Sequence, residues 1–91
     1  MIAPPYTVVF NQDARDFFAS RRVDDKIKRI ILNKIDVLAQ NPYWGEPLGR
    51  DFHGYRKLKA GQFRVVYRVE EARMLVHIAS VGLRRDAYGG S

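Results

Sequence analysis

Two short basic runs joined by a glycine turn hold the side chains best suited to chemistry. In the first run Lys57 and Lys59 flank a leucine, and in the second Arg64 lies between a phenylalanine and a valine. Successive side chains of a strand point to opposite faces, so the alternation predicts two paired strands with Lys57, Lys59 and Arg64 on one face. Three cations on a small sheet face form a platform for a polyanion.

The charge of the whole chain is concentrated in the same half. Of the 91 residues, 16 are Lys or Arg and 10 are Asp or Glu, which gives a net charge of +6. Residues 1–47 contain seven Lys/Arg and six Asp/Glu, whereas residues 48–91 contain nine and four. The basic excess therefore lies with the predicted strands, which favours a nucleic-acid partner over a general solubility role.

Length and composition predict one domain over residues 1–91, with a core from residue 6 to residue 88 and a tail at 89–91. The chain has no cysteine, which excludes a disulfide framework and a thiolate metal site. No apolar run approaches the roughly 20 residues of a membrane span, and the N-terminus lacks the pattern of a signal peptide. We therefore expect a cytoplasmic protein that uses no cofactor.

The N-terminal half predicts a strand and two helices that support the basic strands. Residues 6–10 are β-branched or aromatic, which is typical of a strand. Asn11 is a suitable N-cap for a short helix over 12–20. Apolar spacing predicts a longer helix over 25–40, with Asp24 or Asp25 as its cap. Lys34 is the only polar residue on the apolar stripe of that second helix. The helices are expected to form an antiparallel hairpin on one face of the sheet.

The C-terminal half predicts three strands after an irregular link. Residues 43–54 are rich in glycine, proline and aromatics; Trp44 there either stacks on nucleic-acid bases or pins the loop to the core, and the core role is favoured. The two basic strands follow, and then residues 74–81 form a strand that is apolar on both faces and therefore central, ended by Gly82. The order β-α-α-β-β-β predicts a two-layer α+β fold with a mainly antiparallel sheet.

Three of the side chains in these strands have structural interpretations. Tyr67 lies on the apolar face of its strand, which favours a core position. His77 lies within a hydrophobic strand and is expected to be a hydrogen-bonded core histidine rather than a metal ligand. Without a ligand, Arg64 would be a solvated strand residue or an ion-pair partner of Glu70 or Glu71.

Two motifs carry a resemblance to a known family. Residues 61–67 have the form G-x-[FY]-R-V-V-Y, and residues 82–88 have the form G-x-R-R-x-x-Y. With these motifs and the order of elements between Tyr6 and Tyr88, the chain resembles the RelE/ParE superfamily of bacterial toxins, and within it a RelE-like toxin of a type II toxin–antitoxin system. The resemblance implies the RelE-like microbial RNase fold and a cognate antitoxin as partner.

The two branches of this superfamily imply different functions on one fold. In the RelE branch the toxin enters the ribosomal A site, cuts the messenger RNA and so inhibits translation. In the ParE branch it inhibits DNA gyrase and cuts nothing. We expect the ribosome-dependent endonuclease, with the ribosome and messenger RNA as partners; the alternatives are the gyrase inhibitor and a catalytically weak RNA-binding relative.

The resemblance also assigns site residues by position. Lys57 and Lys59 resemble the paired basic residues of the family's second strand, and Arg64 resembles its central arginine. Leu83 departs from the pattern, because many relatives have histidine or lysine there. The catalytic set that the resemblance implies is Lys57, Lys59, Arg64, Arg84 and Tyr88. The residues expected to contact RNA beside it are Arg56, Arg68 and Arg85.

Metal-independent RNA cleavage sets the roles of these side chains. The neighbouring 2′-hydroxyl attacks the phosphate, which requires a base for that hydroxyl, positive charge on the non-bridging oxygens and an acid for the leaving 5′-oxygen. We hypothesise Lys59 or Tyr88 as the base, Arg64 with Lys57 as the phosphate clamp, and Arg84 at the leaving group. With no histidine in this set, much of the rate would come from positioning of the messenger by the ribosome.

Overall fold

A computed structural model describes residues 4–49 and 54–83. These residues form a five-stranded sheet in the order β1-β5-β4-β3-β2, in which β1 runs parallel to β5 and the other neighbours are antiparallel. The elements are β1 (Thr7–Phe10), α1 (Gln12–Ala19), α2 (Asp25–Leu38), β2 (Glu46–Pro47), β3 (Tyr55–Ala60), β4 (Phe63–Glu70) and β5 (Leu75–Leu83).

This architecture confirms the predicted α+β fold and adds one strand to it. The two-residue strand β2 lies in the segment predicted to be an irregular link, and it pairs with Lys57 and Arg56 at the edge of the sheet. Gly82 was expected to end the last strand, and this is wrong: Gly82 pairs with Arg64, and β5 continues to Leu83. The longer ladder lets β5 pair with the whole length of β4.

Side-chain caps fix the starts of both helices, as the sequence predicts. The Asn11 Oδ1 accepts the N–H of Ala14 at 3.2 Å, and Asp24 Oδ1 accepts the N–H of Lys26 at 2.7 Å. These bonds satisfy backbone donors that have no partner within the first turn. The second helix ends at Leu38, somewhat before the predicted end at residue 40.

The core lies between the helices and one face of the sheet. Phe17 of α1 packs edge-to-face on Phe63 of β4, with 5.6 Å between the ring centroids. Each large apolar side chain that is fully buried here contributes roughly 1.5–3 kcal/mol relative to exposure. The largest of these side chains are Ile31, Ile35 and Leu38 from α2 and Val65, Tyr67, Val76 and Ile78 from the sheet. The helices therefore pack on one sheet face, and the residues that alternate with the core positions of β3 and β4 lie on the opposite face.

Tyr67 confirms its predicted core position and also anchors the loop before β2. Its hydroxyl donates to the Pro42 carbonyl at 2.8 Å and accepts the N–H of Gly45 at 2.8 Å. Burial raises the pKa of Tyr67. A Cβ at Gly45 would lie 2.5 Å from the Lys57 carbonyl and 2.7 Å from the Tyr67 hydroxyl, so the loop can approach β3 this closely only with glycine.

Among the residues that the structure describes, no helix is long and apolar enough to cross a membrane. The assignment of residues 1–91 to a single domain and to the cytoplasm stays a prediction.

Candidate nucleic-acid interface

The face of the sheet away from the helices, called the outer face below, carries the basic side chains of β3 and β4. Lys59 lies directly opposite Arg64 in the ladder, and Lys57 lies opposite Val66. Their chain neighbours Leu58 and Val65 point the other way and belong to the core. The shared face that alternation predicts for Lys57, Lys59 and Arg64 is therefore present.

Arg64 occupies the middle of the outer face. It lies on β4 between Lys59 of β3 and Gly82 of β5, and it is 9% exposed. Among residues 4–49 and 54–83 it is the one charged side chain classed as buried. Burying a charge costs free energy, and a like charge directly across the ladder destabilises further. Its place in the middle of a basic sheet face favours a role in binding an anion.

The two lysines lie nearer the edge of the sheet than Arg64. Lys57 is half-buried and Lys59 is exposed. Strand β2 pairs with Arg56 and Lys57 only, and beyond it the Lys34 ammonium of α2 donates to the Lys59 carbonyl at 3.1 Å. A third lysine thus reaches the same edge, which explains the polar residue in the otherwise apolar stripe of α2.

The other end of the outer face is partly neutralised. Arg68 lies opposite His77, and the Glu70 carboxylate is 2.7 Å from His77 Nε2 and accepts a hydrogen bond from Arg73 Nη2 at 2.9 Å. The hydrogen bonds from Arg73 and His77 lower the pKa of Glu70 to about 2. The outer face therefore differs along its length: Glu70 and its partners lie at one end, and Lys57, Lys59 and Arg64 lie together at the other.

His77 matches its prediction in part. It is hydrogen-bonded, as expected, but it is half-buried on the outer face rather than in the core. The cause is strand register: its neighbours Val76 and Ile78 take the two core positions, so His77 points outward. The alternative ion-pair partners of Arg64 have other contacts, because Glu70 holds Arg73 and His77, and Glu71 accepts the hydroxyl of Tyr43.

Arg56 lies apart from the other cations. Its position opposite Tyr67 in the ladder puts it on the helix side of the sheet, where its Nη1 donates to the Gly45 carbonyl at 2.6 Å. The guanidinium lies 4.9 Å from the ring centroid of Tyr43. The Tyr43 hydroxyl in turn donates to Glu71, which raises the pKa of Tyr43 to about 12. These contacts assign Arg56 to holding the loop, and its predicted contact with RNA has no support from this placement.

Trp44 was expected to pin the loop to the core, and this is wrong. Its side chain is exposed, with 43% of the residue accessible, and the loop is held by Tyr67 and Arg56 instead. The Lys34 ammonium lies 5.8 Å from the centroid of the Trp44 ring, which is within cation–π range. The contact between Lys34 and Trp44 was not predicted from the sequence. The available signal was Lys34 itself, a cation among apolar residues ten positions before the tryptophan.

The structure describes only some of the residues predicted to form the site. Arg84, Arg85 and Tyr88 lie outside the described residues, and β5 ends at exposed Leu83, opposite Phe63. In the part of the chain that is described, no three His, Asp or Glu side chains come together as a possible metal site. The absence of a cofactor stays a prediction.

The fold matches solved structures of toxins. The toxin–antitoxin complex RelBE2 from Mycobacterium tuberculosis matches with a TM-score of 0.77 and 28% identity, over 88% of this chain and 99% of that chain. The isolated RelE toxin of E. coli matches with a TM-score of 0.72 and 21% identity, over 91% and 90% of the two chains. A YoeB/ParE toxin from Agrobacterium tumefaciens matches with a TM-score of 0.73 and 23% identity, over 86% and 98%.

The sequence of this chain and these solved structures together place it among the toxins of the RelE/ParE superfamily. Residues 5–88 match the family model described as the ParE toxin of the type II toxin–antitoxin system parDE. The chain belongs to this family and is a toxin of a type II toxin–antitoxin system. No match is found among curated proteins.

Proposed function

We propose that this toxin is a ribosome-dependent endoribonuclease that cuts messenger RNA in the A site and so inhibits translation. The observation that carries the proposal is the opposition of Lys59 and Arg64 on the outer face, with Lys57 beside them. Like charges directly opposite destabilise a sheet, and a bound phosphate would turn this repulsion into two attractions. A surface used only for protein contact has no chemical need for such a cluster.

The outer face supplies the electrostatic part of the reaction. The scissile phosphate gains negative charge when the 2′-hydroxyl attacks, and Arg64 with Lys57 stabilises the non-bridging oxygens. The planar guanidinium of Arg64 can bind two oxygens at once, and its burial in the centre of the sheet limits the conformations it must lose on binding. Lys59 or Tyr88 takes the proton of the 2′-hydroxyl, and the 2′-oxygen attacks the phosphorus to form a 2′,3′-cyclic phosphate. The bond to the 5′-oxygen breaks, Arg84 stabilises the negative charge on that oxygen, and a water molecule protonates it. Arg68 and Arg85 contact the flanking RNA.

A cognate antitoxin is the second partner that we propose. The solved RelBE structures from M. tuberculosis and E. coli are toxin–antitoxin complexes. An antitoxin segment with acidic residues would complement the cationic outer face and exclude RNA from it.

Inhibition of DNA gyrase is the second candidate function. The match of residues 5–88 to the ParE toxin family favours it. A supercoiling assay distinguishes the two functions, because a gyrase inhibitor blocks supercoiling without RNA cleavage and an endonuclease leaves supercoiling intact.

The deciding experiment adds the purified protein to ribosomes stalled on a defined messenger and maps new 5′ ends by primer extension. Arg64→Gln keeps most of the side-chain volume and removes the charge, so we expect cleavage to fall by about 10²–10³. Arg29→Gln removes an exposed arginine from α2 and is the matched control, with unchanged cleavage expected. A reaction without ribosomes should show little cleavage.

Two results would contradict the proposal that the outer face of this protein cuts messenger RNA. One is an uncut messenger with protein that still arrests growth, which would favour gyrase. The other is cleavage that Arg64→Gln and Arg29→Gln reduce equally, which would remove the outer face from the mechanism. A pH–rate profile of single turnovers then assigns the base: the limb on which the rate rises with pH should change on mutation of Lys59 or of Tyr88.

A further inference from the structure

Trp44 and three lysines line an open notch at the edge of the sheet. The notch lies between α2 and the uncovered edge of β3, and its volume is about 180 Å³. Its side walls are formed by Lys34, Lys57 and Lys59, with Glu46 as the one carboxylate among its lining residues. The notch therefore combines an exposed aromatic ring with an excess of positive charge, directly beside the outer face.

The indole ring is held in place but is not buried. Gly45, the next residue, is fixed by the Tyr67 hydroxyl and by Arg56, so the backbone that carries Trp44 has little freedom. Lys34 lies over the ring at 5.8 Å, and the residue is nonetheless 43% exposed. Exposure of a large rigid ring is unfavourable in water, so a ligand that covers it gains free energy at little conformational cost.

The shape and charge of the notch point to a nucleotide. Its volume is below the roughly 300 Å³ at which enclosed small-molecule pockets begin, so it offers a shallow open site rather than an enclosed cavity. A nucleotide presents a planar base to the ring and a phosphate to the lysines within one residue, which is how proteins bind single strands. An acidic peptide would satisfy the lysines and leave the ring without a planar partner.

We propose that Trp44, with Lys34 and the lysines of β3, forms a stacking site for one base of single-stranded RNA next to the outer face. The site extends the proposed endonuclease by a nucleotide-binding position and rests on that function for its biological substrate. Because every base has a planar face, the site accepts any base and reads no base edge. Purines stack more strongly than pyrimidines, so we expect a preference for purines. Its role is to position the strand whose phosphate lies at Lys57 and Arg64.

Fluorescence tests the site without any cleavage. Trp44 is the single tryptophan of the chain, so its emission reports on this ring alone. The probe is a short 2′-O-methyl oligonucleotide, which lacks the attacking hydroxyl and cannot be cut. We expect saturable quenching by this oligonucleotide and none by an abasic oligonucleotide of equal length, which has the same phosphates. Equal responses to both probes, or no response to either, would overturn the proposal.

Variants separate stacking from charge. Trp44→Leu should weaken binding of the 2′-O-methyl oligonucleotide by about tenfold, the size of one lost base stack, and Trp44→Phe should restore most of it. Tyr43→Leu is the matched control, because Tyr43 is similarly exposed (44%) but lies outside the notch. Trp44→Leu should leave the salt dependence of binding unchanged, whereas Lys34→Met should make it shallower. A similar loss for Trp44→Leu and Tyr43→Leu would contradict a specific site.

These assays keep the two proposals distinct. Quenching and a Trp44→Leu defect with no cleavage on ribosomes would retain the stacking site and reject the endonuclease. Cleavage on ribosomes with no quenching would do the reverse. Messenger and ribosomal RNA offer the same chemistry to the ring, and messengers with a single abasic position near the cut distinguish them. If the messenger supplies the base, one abasic position should remove the difference in cleavage between the parent and Trp44→Leu. If ribosomal RNA supplies it, the difference should persist at every position.

Discussion

Lys59 and Arg64 lie directly opposite each other across β3 and β4, two cations on one face of the sheet. Side chains in this relationship have Cβ atoms about 4.5–5.5 Å apart, so their charges repel. An anion bound between them would be attracted by both charges.

A charge reversal should separate stability from function at this pair. In Lys59→Glu the repulsion becomes attraction, so we expect the free energy of unfolding to rise by about 0.2–1 kcal/mol at low salt and RNA cleavage to fall. Urea unfolding at low and high salt measures the first effect, and the gain should shrink as salt screens it. Arg21→Glu, an exposed charge reversal between the helices, is the control. A less stable Lys59→Glu protein would show that the pair does not repel.

Removal of the Tyr67 hydroxyl should destabilise the protein more than removal of an exposed hydroxyl does. Tyr67→Phe leaves the N–H of Gly45 and the carbonyl of Pro42 without their partner in a buried position, and we expect a loss of about 1–3 kcal/mol. Tyr43→Phe removes an exposed hydroxyl bonded to Glu71 and should cost less than 1 kcal/mol. Urea unfolding compares the two; equal losses would mean that the loop anchor is replaced by water.

The cluster around Glu70 predicts a dependence of stability on pH. The pKa of Glu70 is about 2 in the folded protein and 4.5 ordinarily, so the folded state favours the ionised form. A lowered folded pKa stabilises above the ordinary value, and this stabilisation is lost as the pH falls from about 4.5 through 2. Glu70→Gln should therefore be less stable than the parent at pH 7, and the difference should diminish across this window. A difference that stays constant from pH 7 to pH 2 would contradict it, and NMR titration of the Glu70 carboxyl provides a direct check.

Met74 lies at a strained backbone position in the turn between β4 and β5. Its φ is 54°, which is the left-handed region that side chains with a Cβ disfavour by roughly 1–2 kcal/mol. Asparagine tolerates this conformation, so Met74→Asn should stabilise by up to about 1 kcal/mol, measured as a higher midpoint of thermal unfolding. Met74→Ala keeps the strain and should give no such gain. If both variants behave alike, the loss of an exposed apolar side chain explains the change.

The faces of the strands could be predicted from the sequence, because a period of two assigns each side chain without knowledge of the partner strand. Lys57, Lys59 and Arg64 were placed together on this basis. The helix caps at Asn11 and Asp24 were also local signals. The register between strands could not be predicted from local sequence, because it depends on the partner strand. Gly82 continues β5 since it pairs with Arg64, and His77 faces outward since its neighbours take the core positions.

The environment of Trp44 could not be predicted for a related reason. Whether a lone aromatic residue in a loop is buried depends on what else holds the loop. Here the Tyr67 hydroxyl and the Arg56 guanidinium bind the backbone around Gly45, so the indole is not needed as an anchor. A hydrogen bond between residues 22 positions apart leaves no periodic trace in the sequence.

The parallel pairing of β1 with β5 has a consequence for how the toxin is synthesised. Thr7 lies opposite Leu75, so β1 has its partner only after β5, the last strand of the described residues, has been translated. Such non-local contacts form late and slow folding. During synthesis β1 therefore remains without its sheet neighbour while the local pair of β3 and β4 can already form. The order of strands thus delays completion of the sheet until β5 has been made.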